Sequence, residues 1–241
     1  MGKLFFTLCL LFLAAFGQAQ KVINDPNAEA RKLTGSFEGI SVSGGIDLYL
    51  SQGDEAVAVS ASKPEHRDRI KTEIQNGILK IWYDSKTGIN ITVTGERKLK
   101  AYVSYKTLNN LNASGGSDVL VDGTIKSTDF KLHVSGGSDF KGKVEMNSLD
   151  VDQSGGSDIH IAGKVGKLAI DASGGSDFNG YDLSADVCEI EASGGSDIEI
   201  TANRELSARA SGASDVRYKG NPTIKEAKVS GGGSVKVKSL P

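Results

Sequence analysis

Ser154-Gly155-Gly156-Ser157-Asp158, Ser173-Gly174-Gly175-Ser176-Asp177 and Ser193-Gly194-Gly195-Ser196-Asp197 are three copies of one pentapeptide. Two more precede them, Ser114-Gly115-Gly116-Ser117-Asp118 and Ser135-Gly136-Gly137-Ser138-Asp139. Two variants follow, Ser211-Gly212-Ala213-Ser214-Asp215 and Ser230-Gly231-Gly232-Gly233-Ser234. Their first serines are separated by 21, 19, 19, 20, 18 and 19 residues. An earlier relative, Ser43-Gly44-Gly45-Ile46-Asp47, suggests that the same structure begins near the start of the mature chain. Self-similarity at a fixed short period is the signature of a repeat architecture.

The flanking residues say what repeats. Three before the first serine stand Leu111, Leu132, Val151, Ile170, Ile190, Ala208 and Ala227, and one before it Ala113, Val134, Gln153, Ala172, Ala192, Ala210 and Val229. Five before it are Phe130, Leu149, Leu168, Cys188 and Leu206. After the aspartate come Val119, Phe140, Ile159, Phe178, Ile198 and Val216. Between the apolar positions lie Asn112, His133, Asp152, Asp171, Glu191, Arg209 and Lys228. This alternation of period two marks strands with one buried face. A repeat this short is too small for a propeller blade or a helical pair, but it suits one turn of a β-solenoid. Turns stacked at ~4.8 Å convert each apolar position into a ladder through the core. The fold expected is therefore all-β, a single parallel β-helix, right-handed by the general preference of parallel crossovers.

Residues 36–110 are less regular but rich in strands, with Gln52-Gly53-Asp54 and Gln75-Asn76-Gly77 as turns. The stretch from Lys63 to Ile70, with Pro64, is the one place for a helical turn or irregular loop. This half reads as earlier, irregular coils of the same solenoid. The domain reading is then 20–35 as a flexible lead-in, 36–110 as irregular coils and 111–241 as regular coils of one domain.

Residues 1–19 read as a secretory signal, with Lys3 ahead of a short apolar run at 4–16 and the small residues Gly17 and Ala19 before the cut. Cys9 lies inside apolar sequence and lacks the setting of a lipid-acceptor cysteine. No later stretch approaches the ~20 apolar residues of a membrane-spanning helix. Cleavage leaves Cys188 as the only cysteine, so no intrachain disulfide forms. A formal net charge of −2 gives no reason to expect nucleic acid as a partner.

Phe37-Glu38-Gly39-Ile40-Ser41-Val42-Ser43-Gly44-Gly45-Ile46-Asp47-Leu48, the Gly77-Ile78-Leu79-Lys80-Ile81 segment and the SGGSD series together resemble the auto-transporter adhesin family with a head GIN domain. The resemblance runs from about residue 34 onward, with Gly45-Ile46-Asp47 standing where the family's name-giving triplet has asparagine. It implies a right-handed parallel β-helix and a secreted or envelope protein of Bacteroidetes-type bacteria. The compartment would be the periplasm, the outer-membrane surface or the exterior. It carries over no catalytic or ligand-binding residue.

Two sets of side chains are candidates for chemistry. In-register stacking places Asp118, Asp139, Asp158, Asp177, Asp197 and Asp215 in one row. Serine and aspartate at glycine bends cap backbone groups. The same row could instead hold Ca2+, which takes several carboxylate and carbonyl oxygens, although the nine-residue period of calcium-binding β-helices is missing. A second, acidic strip gathers Asp150, Asp152, Asp171, Glu189 and Glu191 at outward positions, answered by Arg209 and Lys228 in the next coils. It is either a solvated face or a strip for a cation or basic partner.

Catalytic readings lack a centre. His66, His133 and His160 are dispersed, the repeat serines are interchangeable, and Cys188 takes an inward position. The function expected is a non-enzymatic, exported binding module whose partner is a glycan or a surface protein, with no cofactor. The alternative is a carbohydrate-active enzyme of the lyase or hydrolase kind, since such enzymes also use parallel β-helices.

Overall fold

The computed structural model describes residues 25–85 and 96–238. The signal segment expected at 1–19 lies outside them. In chain order the elements are β1 (Glu29–Arg31), β2 (Gly39–Ser43), β3 (Ile46–Gln52), β4 (Ala56–Ser60), α1 (Pro64–Arg67), β5 (Ile70–Gln75), β6 (Ile78–Tyr83), β7 (Leu99–Tyr105) and β8 (Asn110–Ser114). There follow β9 (Val119–Ser135), β10 (Asp139–Ser154), β11 (Asp158–Ala172), β12 (Asp177–Ala192) and β13 (Asp197–Ala210). β14 (Asp215–Lys219), β15 (Thr223–Val229) and β16 (Ser234–Val237) complete the set.

The repeat forms a parallel β-solenoid, as its period predicts. Each long strand from β9 to β13 makes most of one coil and pairs in parallel with the next. Asp139 faces Asp158 at one end of the β10–β11 pairing and Gln153 faces Ala172 at the other. The uneven repeat spacing is absorbed away from the pentapeptide: the register slips between His160 and Ala162 and between Gly180 and Ser184. The aspartate positions stay opposite one another throughout.

The apolar positions read from the sequence are the core. Phe130, Leu149, Leu168, Cys188 and Leu206 are all buried, as are Val119, Phe140, Ile159, Phe178, Ile198 and Val216. Gln153 occupies one of these inward positions and is also fully buried; its Nε2 donates to the carbonyls of Ser157 (2.7 Å) and Asp177 (2.9 Å). The bend is narrow enough to demand glycine. Gly174 has φ +80, and a Cβ there would lie 2.7 Å from the Gly155 carbonyl oxygen of the coil beneath.

Two inward positions of the repeat are corrected in the last coil. Val229 is 49% exposed and Ala227 is exposed as well, because no further coil lies over them among the described residues.

The N-terminal half belongs to the same sheet, but its coils are not stacked in chain order. β2 pairs in parallel with both β6 and β8, and β3 with both β7 and β9. The β6–β7 coil therefore lies outside the β2–β3 coil that precedes it in sequence. Three strands then run antiparallel: β5 on β6, β4 on β7, and β1 on β4. They cover the edge that a parallel stack would leave open for pairing with another chain. The turn at Asn76 (φ 54) and Gly77 (φ 73) joins β5 to β6 with the left-handed torsions of a tight hairpin. Part of the 20–35 lead-in takes strand structure as β1, and the helical turn allowed near Pro64 is α1.

Candidate functional site

The pentapeptide divides its labour between its last two residues. Ser117, Ser138, Ser157, Ser176, Ser196 and Ser214 point inward and are fully buried. From Ser157 onward each hydroxyl donates to the carbonyl three residues back, at 3.1 Å for Ser157 and Ser176, 3.0 Å for Ser196 and 2.7 Å for Ser214. In the earlier coils the hydroxyl accepts instead: the Ser117 amide donates to Ser138 Oγ (3.0 Å) and the Ile46 amide to Ser117 Oγ (3.1 Å). The bend thus meets its own polar requirements. The sequence reading had not separated this buried serine from its exposed neighbours. Its parity, two residues before the buried Ile159 or Phe178, was the available signal.

The aspartates next to these serines point outward. Asp139, Asp158, Asp177, Asp197 and Asp215 are opposite one another, and Ser234 ends the row. Asp118 joins it, its Oδ1 accepting the Asp139 amide at 3.2 Å, and Asp139 Oδ1 accepts the Asp158 amide at 3.2 Å. Asp47 extends the row by one, since Leu48 pairs with Val119. Burial and the neighbouring carboxylates raise Asp158 above the usual carboxylate range; burial and Asp118 raise Asp47 against the pull of Lys100. Asp118 is also raised, by burial first and by Asp139, while the Asp139 amide opposes the shift. Cations meet the row near its far end, where Arg217 lies 3.4 Å from Asp197 and 2.7 Å from Asp215. Among the described residues no three His, Cys, Asp or Glu side chains converge as a metal-binding group. The carboxylates are spread along the stack rather than gathered around a point.

The acidic strip also forms. His133, Asp152, Asp171, Glu191, Arg209 and Lys228 follow one another in register, with Asp150 and Glu189 two positions earlier in their coils. Several of its members have partners: His133 Nδ1 is 3.1 Å from Asp152, Lys167 is 3.0 Å from Glu189, and Arg209 bridges Glu191 (2.6 Å) and Glu226 (2.8 Å). Among the described residues no cation lies against Asp171 in the middle. Burial, then Asp152, Glu191 and Asp150, push it up. Asp171, Glu191, Arg209 and Lys228 line a shallow depression with Ser193 and Ser211.

The groups that would serve a catalyst are scattered. His66 is buried with Nδ1 3.0 Å from the Tyr83 hydroxyl, and His160 is exposed in another coil. Cys188 is a core side chain whose thiol burial pushes up to about 12.

The sequence profile of the family described as "Putative auto-transporter adhesin, head GIN domain" matches residues 36–222. The chain belongs to this family. Its triplet Gly45-Ile46-Asp47 sits where β3 begins, with Ile46 in the core and Asp47 heading the aspartate row. Solved structures share the fold of this chain at low identity. A putative adhesin from Bacteroides fragilis has a TM-score of 0.77 at 20% identity, over 88% of this chain and 96% of that one. A putative adhesin from Parabacteroides merdae has a TM-score of 0.66 at 18% identity, over 89% and 98% of the two chains. A putative lipid binding protein from Parabacteroides distasonis has a TM-score of 0.65 at 20% identity, over 89% and 98%. No curated protein matches the sequence. Among the described residues no helix is long and apolar enough to cross a membrane.

Proposed function

We propose that this protein is an exported, non-enzymatic binding module that presents the outer faces of its solenoid to a glycan or a protein on a cell surface. The observation that carries the reading is the continuous coil-to-coil pairing from β9 to β13. It yields long flat faces of register-aligned side chains in place of a cleft with converging acid and base groups, which is what a glycan-cleaving enzyme needs. Membership of an adhesin family agrees with it, as do the signal-like residues 1–19.

On this reading the aspartate row and the acidic strip are contact faces. Asp171 is a carboxylate between carboxylates, Asp152 and Glu191 in the adjoining coils. A cationic group of a partner laid across Asp152, Asp171 and Glu191 would relieve that repulsion. The role of Asp118, Asp139, Asp158, Asp177, Asp197 and Asp215 is to face the partner rather than to bind Ca2+. Screening the mature protein on a glycan array and against outer-membrane fractions tests the proposal. Retention by at least one ligand class supports it, and retention by none overturns it.

A further inference from the structure

At the capped end of the solenoid two guanidinium groups meet one aromatic ring. Arg69 Cζ lies 5.0 Å and Arg97 Cζ 4.9 Å from the centre of the Tyr83 ring, so the two charges are no more than ~10 Å apart. The three residues come from different elements: Arg69 precedes β5, Tyr83 ends β6, and Arg97 leads into β7. The ring is tethered at its hydroxyl by the buried His66, whose Nδ1 is 3.0 Å away. Arg69 is fixed through Nε, which donates to the Asp84 carbonyl at 2.8 Å. Arg97 is exposed, and its guanidinium has no ion-pair or hydrogen-bond partner among the described residues.

From this placement we infer that Arg69, Arg97 and Tyr83 form an anion site that takes an oxyanion, carboxylate or sulfate, of an acidic glycan. Guanidinium forks match such groups with paired hydrogen bonds, and a ring-stacked fork is already oriented for them. His66 is held below its usual range by burial first, and then by Arg97, Lys63 and Arg69, with Glu65 opposing. The sides of the solenoid behave oppositely. The aspartate row and the acidic strip repel an anionic polymer, which directs it to the capped end. The site rests on the glycan arm of the proposed function and is separate from the acidic contact faces, which would meet a cationic partner instead.

The test is calorimetric titration of the full mature protein with an oligogalacturonate, a sulfated dextran fragment, a neutral malto-oligosaccharide and inorganic sulfate. Binding of either acidic oligomer, weakened by added salt and at least tenfold weaker in Arg97→Gln with an unchanged melting temperature, is the expected result. The two acidic arms identify which oxyanion is preferred. Arg69→Lys separates a charge effect from a fork effect: it keeps the charge and loses the paired geometry, so affinity falls there too. Unchanged affinity in Arg97→Gln overturns the site, as does inorganic sulfate binding as tightly as the oligomers. Neutral glycans binding on the array while neither acidic oligomer binds would sink this inference and leave the wider function standing. An array with no glycan bound at all would sink the glycan reading itself.

Discussion

The Oγ of Ser214 lies 2.7 Å from the carbonyl oxygen of Ser211, and both belong to one SGGSD-type bend. Ser157, Ser176 and Ser196 repeat the contact in their own coils, each fully buried. A hydroxyl that satisfies a buried carbonyl is worth about 1 kcal/mol net, and leaving the carbonyl unmet costs about 1–3 kcal/mol. Ser176→Ala should therefore destabilise by that order, and Ser173→Ala by clearly less. Urea denaturation of the two variants checks this, and equal losses would show that the serine parity is misassigned.

Gly174 and Gly175 are neighbours with opposite demands. Gly174 has a left-handed φ and a carbonyl 2.7 Å from where its Cβ would be; Gly175 has nothing nearer than 4.0 Å. Gly174→Ala should cost about 1–3 kcal/mol, and Gly175→Ala no more than about 0.5 kcal/mol. Thermal unfolding of the pair decides it.

Leu168 and Asp171 are three residues apart on opposite sides of one strand. Leu168 is fully buried and Asp171 exposed. Leu168→Asp should prevent folding, since a buried unpaired charge costs several kcal/mol, roughly. Asp171→Asn should fold normally. Circular dichroism melts that showed equal damage would contradict the coil register.

Asp171 also sets a pH dependence. Burial and its carboxylate neighbours raise its folded value above 3.8, so the folded state holds the proton more tightly than the unfolded chain. The stability this contributes is fully present below about 3.8 and lost as pH rises through the folded value. Asp171→Asn should flatten that part of the profile and be neutral or slightly stabilising at pH 7. Melting temperatures from pH 3.5 to 7 test the sign; a variant less stable than wild type at pH 7 would reverse it.

The aspartate row gives a metal prediction. Its amide partners and Arg217 are protein groups. A chelator should leave the melting temperature unchanged, and millimolar calcium should add little. Binding at a hundredfold excess over Kd would stabilise by about 2.7 kcal/mol. A calcium-dependent shift of several degrees that vanished in the Asp158, Asp177 and Asp197 to Asn triple variant would restore the cation reading.

The regular coils were legible because parity and spacing suffice for them. Phe140, Ile159, Phe178 and Ile198 recur at one offset, and a repeated offset means a repeated environment. The two charged rows followed from the same register. The N-terminal half was not legible to that depth, because alternation does not distinguish parallel from antiparallel pairing. Only Asn76-Gly77 signalled a hairpin, and a hairpin implies antiparallel strands. The placement of β6–β7 outside β2–β3 depends on long-range packing and leaves no local trace. The Arg69–Tyr83–Arg97 cluster was hidden for the same reason, its members being brought together by the cap.

The most direct test of the central claim is whether the protein binds glycans without changing them. Mature protein would be incubated with the glycans or surface fractions that retain it, and new reducing or unsaturated ends would be measured over time. Binding that saturates reversibly and leaves the ligand at its original length is the outcome expected of a non-enzymatic solenoid module. A steady appearance of shortened product, abolished by substituting a side chain on one of its faces, would contradict it.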